Sequence, residues 1–104
     1  MGMDQFFYAV TDDRAVQDSP DDPNASCLDV HADGVKEIVQ LRNHYELHVL
    51  IRLDISYDWE GFEYLEIYAE DVPLIATLGA SVATLCRALK QCFDDGKRVF
   101  YHWH

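Results

Sequence analysis

Positive charge is what this chain has least of. Eight Lys and Arg stand against nineteen Asp and Glu in 104 residues, a formal net charge of −11. Phosphates would be repelled, so direct binding to DNA or RNA is not expected. Attachment to an anionic membrane surface is disfavoured for the same reason. Cysteine is scarce as well. Cys27, Cys86 and Cys92 are an odd set without CxxC spacing, which points away from a disulfide framework or a zinc ribbon and toward free thiols in a reducing cytoplasm. No apolar run approaches the ~20 residues that span a bilayer. Residues 1–10 lack the basic start of a signal peptide, and Phe6 stands where a myristoylation motif after Gly2 wants Ser or Thr. Neither GxGxxG nor GxxxxGK[ST] occurs, so no nucleotide cofactor is expected. The length suits one core, and the chain reads as a single domain over 1–104.

The apolar pattern gives an alternation of elements. Gln5–Thr11, QFFYAVT, is aromatic and β-prone and predicts a first strand. Residues 12–26 carry Pro20, Pro23 and several aspartates and predict a mobile acidic loop. Cys27–His31 reads as a short edge strand. Asp33 is a suitable N-cap for a helix through VKEIVQLRNHY, with Val35, Ile38 and Val39 on one face. From Val49 the apolar residues fall at every second position, Val49, Ile51, Leu53, Ile55 and Tyr57, which predicts a strand. Asp58–Gly61 then reads as a turn, and Phe62–Ala69 as the returning strand of a hairpin. Leu74, Leu78, Val82, Leu85 and Leu89 recur at helical spacing and predict a second helix from Glu70, closed by Gly96. KRVFYHWH is the last strand. The order β-α-β-β-α-β predicts an α+β, ferredoxin-like fold: an antiparallel sheet with two helices on one face.

The histidines invite a metal reading and do not carry it. His44 and His48 in NHYELH are four apart, but the intervening Glu46 is misplaced for a zinc-protease helix. The strand pattern that starts near Val49 would also break helical geometry between the two. His102 and His104 share one strand face about 6.8 Å apart, with no second ligand pair to complete a structural zinc site. A junction and a polar strand face are the expected roles, with no metal. Cys86 and Cys92 sit in an apolar helical stretch as small buried hydrophobes. No nucleophile–base signature marks a catalytic residue.

The acids are what stand out. Asp54, Asp58, Glu60, Glu63, Glu66, Glu70 and Asp71 follow one another with no Lys or Arg between them, while Arg87, Lys90, Lys97 and Arg98 gather later in the chain. Trp59, Phe62 and Tyr64 interleave with those acids. Aromatic anchors beside carboxylates predict a surface for a basic protein partner, at Asp54, Asp58, Trp59, Glu60, Phe62, Glu63, Glu66, Glu70 and Asp71. The expected function is non-catalytic: an acidic inhibitor that occludes the basic surface of a nuclease or another nucleic-acid-binding effector, as an anti-CRISPR or other anti-defence protein of phage does, or an immunity protein against a nuclease toxin. The alternative is a small ligand- or metal-binding domain that uses its histidines and forms a homodimer or larger oligomer through sheet edges.

Overall fold

The structure, a computed structural model, describes residues 2–18, 26–55 and 64–104. Its first strand, β1, runs Asp4–Val10, followed by a 3-10 turn at Asp13–Ala15 that Asp12 caps by accepting from the Arg14 N–H. Strands β2 (Val16–Asp18) and β3 (Ser26–Leu28) pair with each other. Strand β4 (Val35–Arg42) leads into helix α1 (Tyr45–Leu50), which continues as a π-helical turn at Ile51–Ile55. Strand β5 (Leu65–Ile67), helix α2 (Val72–Ala76), helix α3 (Ala83–Asp94) and strand β6 (Arg98–Trp103) complete the described chain.

The result is α+β: a four-stranded sheet in the order β4-β1-β6-β5, antiparallel at every neighbouring pair, with three helices. Alternation along β1 sends Gln5, Phe7 and Ala9 to one face and Phe6, Tyr8 and Val10 to the other. Leu47, Ile51, Ile75, Leu85 and Leu89 of the helices close on Phe7, Leu65, Ile67, Val99 and Tyr101 of the first face. Full burial of each such aliphatic side chain stabilises by roughly 1.5–3 kcal/mol. In α3 the buried positions Leu85, Leu89 and Cys92 recur at four and three, the spacing of an inward helical stripe. The β2–β3 hairpin covers part of the second face, where Ala15 and Leu28 pack on Val10 and Phe100. A backbone bridge between Ser26 and Tyr64 ties this hairpin to the β5 edge.

Three expectations need correction. VKEIVQLR is a strand, not a helix. Its pairing with β1 shifts register so that Phe7 faces Val39 and Tyr8 faces Glu37, leaving Ile38 as the extra residue of a β-bulge. The bulge turns both Ile38 and Val39 toward the helices, while Val35 packs on the opposite face, so their helix-like spacing marks no single face. The opposite error occurs at 49–55. Leu47 and Ile51 are fully buried, whereas Val49 and Leu53 are 51% and 60% exposed. The inward period is therefore helical, and the exposed Val49 and Leu53 complete a false alternation. Residues 56–63, with the expected turn and the first two residues of the returning strand, lie outside the described residues; the rest of that strand holds β5. Residues 19–25 of the expected acidic loop also lie outside them, and the described flanks of that loop form the 3-10 turn and strands β2 and β3. Third, the helix expected from Glu70 onward is broken into α2 and α3 around Gly79, whose φ of +82° is left-handed. Gly96 closes α3 as expected: its N–H reaches Phe93 O and the Lys97 N–H reaches Cys92 O, a Schellman cap.

These changes alter the topology. Taken in chain order, the strands of the large sheet lie second-first-fourth-third, which differs from the split ferredoxin-like order. With VKEIVQLR extended, β1 pairs directly with β4 and no helical crossover separates them.

Candidate functional site

The expected partner surface is only partly within view. Asp58, Trp59, Glu60, Phe62 and Glu63 lie outside the described residues. Asp54 is exposed on the π-helical turn, and Glu70 is exposed in the 3-10 turn Ala69–Asp71 that precedes α2. Asp71 has a structural task there: its Oδ2 accepts from the Tyr68 N–H at 2.8 Å and fixes the start of that turn.

Glu66 is turned inward, onto Arg98 of the neighbouring strand. Arg98 Nε donates to Glu66 Oε2 at 2.9 Å and Nη2 to Oε1 at 2.6 Å, the parallel fork of a bidentate pair. Arg98 Nη1 also donates to Asp13 Oδ1 at 3.0 Å, and the guanidinium lies over the Phe100 ring, 5.2 Å from its centroid. The hydrogen bonds to Glu66, ahead of that to Asp13, hold Arg98 still more firmly in its charged form. Glu66 thus serves a partner within the fold. The side chains of Glu66 and Arg98 are 32 residues apart, so no local spacing could have shown their pairing.

The histidines of NHYELH lie at a strand-to-helix junction. Asn43 takes a left-handed φ of +60°, which Asn tolerates better than most residues, and its Oδ1 accepts from the Met3 N–H at 2.7 Å. His44 is the N-cap of α1: its Nδ1 accepts from the Leu47 N–H, so the proton of the neutral ring sits on Nε2, 3.0 Å from Ser81 Oγ. His48 is one helical turn on, with its backbone N–H bonded to His44 O. The expected break in geometry does not occur, yet the two rings are engaged separately. His48 Nδ1 lies 3.0 Å from the Tyr101 hydroxyl, and its ring meets Trp103 edge-on at 4.5 Å. Gln5 completes this buried group. Its Nε2 donates to Tyr101 Oη and to His44 O, and its Oε1 accepts from the His44 N–H.

Gln5 and Tyr101 are fully buried and His48 nearly so. Burial, aided by the Arg52 charge, lowers the pKa of His48 and favours its neutral form. Burial also raises Tyr101 far above an ordinary phenol. A neutral imidazole beside a protonated phenol, closed off from solvent, fastens α1 to β1 and β6. The thiols are equally subdued: burial raises both Cys86 and Cys92, which disfavours the nucleophilic thiolate.

The second face of the sheet gathers Tyr64, His102 and His104, which the sequence shows only separately, with Phe6 and Tyr8. Tyr64 and His102 stack at 4.3 Å, His104 and Phe6 at 5.1 Å, and Phe6 and Tyr8 at 6.2 Å. Phe6, Tyr8, Tyr64 and His102 are half-buried and His104 is exposed. The signal was present as the alternations Phe6-x-Tyr8 and His102-x-His104, but only the pairing of β1 with β6 brings them side by side.

Among the described residues no group of three or more His, Cys, Asp or Glu is placed to hold a metal ion, and no helix is long and apolar enough to cross a membrane. Comparison with protein-family models, with curated proteins and with solved structures gives no match to this chain.

Proposed function

We propose that this protein is a non-catalytic binding protein that occludes a basic surface of another cytoplasmic protein, a nuclease or nucleic-acid-handling effector. The observation that carries the reading is the surplus of carboxylates beyond those answered within the fold. Among the described residues, ion pairs engage Asp4, Asp12, Asp13 and Glu66 with Arg14, Arg42 and Arg98. Glu37, Glu46, Asp54 and Glu70 stand exposed outside those pairs. Exposed bases lie on α3 (Arg87, Lys90), on β4 (Lys36) and on the π-helical turn (Arg52). A surface of this sign accelerates encounter with a cationic protein and repels competing nucleic acid. Inward-facing polar groups such as His48 and Tyr101 support a binding role over a catalytic one. Inhibition of a phage-defence nuclease, or immunity to a nuclease toxin, are the settings that such chemistry suits.

The test is reversal of charge at the proposed surface. Asp54, Asp58, Glu60, Glu63 and Glu70 are changed to Lys and the variant is compared with the native chain in affinity capture. Loss of a captured nucleic-acid-handling protein supports the proposal. Equal capture by the variant removes the surface, and capture of no such protein by the native chain removes the function.

A further inference from the structure

Single apolar side chains at a surface need no explanation. Alignment does. Four large apolar side chains stand exposed among the described residues: Tyr45, Val49, Leu53 and Tyr68. The first three are four apart on α1 and the π-helical turn that continues it, and each is more than half exposed. Residues four apart are neighbours on a helix surface. In a regular α-helix they drift round the axis by about 40° at each step, since four residues exceed the 3.6 of one turn. The wider π turn takes up that drift and keeps Leu53 over Val49. Turns of this kind occur frequently at functional sites. The outcome is a straight ridge, roughly 12 Å long. Leu47, His48 and Ile51 take the inner side of the same helix, so the ridge is turned away from the core.

Tyr45 is held in place. Its hydroxyl donates to Asn43 Oδ1 at 3.1 Å, and the same oxygen accepts from the Met3 N–H. A ring fixed before contact loses little freedom on binding. Tyr is also enriched at the energetic centres of interfaces.

Charge selects the occupant. Glu46 follows Tyr45 and Asp54 follows Leu53, so these two exposed carboxylates stand on one flank of the ridge. Arg52, one residue before Leu53, stands on the other. A second copy would bring another −11 against this one. Anionic lipid and nucleic acid would be repelled as well. An apolar side chain with Lys or Arg beside it answers both features of the site. A helix is the shape that fits, because a ridge spaced at four seats in the groove of a facing helix.

We infer that Tyr45, Val49 and Leu53 form the apolar anchor for an amphipathic helix of a partner protein, with Lys or Arg beside its apolar face. That the partner is a basic protein rests on the function proposed above; the ridge itself rests on exposure and spacing.

The probe is a synthetic helix of leucine and lysine with its leucines on one face. It is compared with a scrambled peptide of the same composition, each titrated into isotope-labelled protein at neutral pH. Equal charge in the two peptides separates the apolar ridge from general attraction. The amphipathic peptide is expected to shift the methyl signals of Val49 and Leu53 and the ring signals of Tyr45. It is expected to bind at least about tenfold more tightly than the scrambled one. Val49→Ser combined with Leu53→Ser is expected to erase that preference, with the melting temperature showing that the fold is kept. Tyr45→Ala, made separately, reads the same ridge if the double variant does not fold, and is expected to reduce the preference. Equal affinity for the two peptides, or shifts confined to other surfaces, would overturn the inference. So would a concentration-dependent doubling of mass that the double variant abolishes, which would make the ridge a contact between copies. Capture of one nucleic-acid-handling protein equally by the native chain and the ridge variants would sink the anchor and leave the occlusion proposal standing. Ridge-selective binding of the amphipathic peptide without capture of any such protein would uphold the anchor and remove the occlusion proposal.

Discussion

Arg98 and Glu66 meet across β6 and β5 through two nitrogen–oxygen contacts of 2.9 and 2.6 Å, and this pair sets Glu66 apart from the exposed Asp54 and Glu70. Glu66 stands between the buried Leu65 and Ile67 on β5 and points to the opposite face from them. Its position makes sense once Arg98 is its neighbour and the second face of the sheet is its home.

Glu66→Ala is therefore expected to cost stability, because it strands a half-buried guanidinium. A charged hydrogen-bonded group of this kind is worth about 1.5–3 kcal/mol, and exposure of the pair favours the lower end. Glu70→Ala, at an exposed turn position, should change stability by less than about 0.5 kcal/mol. Urea unfolding of the two variants decides this. Equal, negligible losses would mean that Glu66 is as free for a partner as Glu70.

Acid should loosen the attachment of α1. The unfolded chain protonates His48 near the ordinary value of about 6.5, whereas the folded chain resists protonation to lower pH because the ring is buried, with Arg52 adding repulsion. Between those two values the unfolded state binds more protons, so stability falls as pH falls. The contribution is fully present above pH ~6.5 and is lost below it, with a slope of at most about 1.4 kcal/mol per pH unit. Urea midpoints followed downward from neutral pH should show this loss, and His48→Leu should flatten the part due to this ring. An unchanged profile in His48→Leu would contradict the assignment.

Tyr101→Phe is expected to destabilise by about 1–3 kcal/mol. It removes the hydroxyl that Gln5 Nε2 and His48 Nδ1 both approach at 3.0 Å in a buried site, and buried polar groups lose water without replacement. The fold of the ring is unchanged, so the loss reads the polar contacts alone. Thermal or urea denaturation measures it, and native-like stability would show that the hydroxyl is dispensable.

Gly79→Ala should cost about 1–2 kcal/mol through backbone strain, since φ at this position is +82° and an added Cβ meets no atom within 4 Å. The same substitution in a continuous helix would stabilise by about 1 kcal/mol. The sign of the change in urea midpoint therefore tells a broken helix from an unbroken one.

The two outer strands of the chain were legible because their patterns are local. QFFYAV and RVFYHW are aromatic and extended, and they became β1 and β6 with little change at their ends. The Gly96 stop was legible because a left-handed cap is a one-residue requirement. VKEIVQLR misled because Val35, Ile38 and Val39 have a helix-like spacing and yet share no single face. Val49 and Leu53 misled because they are apolar and yet face outward. Both errors come from reading period where burial decides. The acidic run was visible as composition, but the fate of Glu66 depends on a strand pairing, and the aromatic row depends on another. Neither pairing can be read from local sequence.

The central claim is that the surplus carboxylates meet a cationic protein. The most direct measurement is affinity capture with mass spectrometry at low and high salt, comparing the native chain with the variant Glu46→Lys, Asp54→Lys, Glu70→Lys. A nucleic-acid-handling protein held by the native chain at low salt, released at high salt and lost by the variant is the predicted result. Retention of the same protein by the variant at unchanged salt sensitivity, or recovery of no such protein at all, would contradict it.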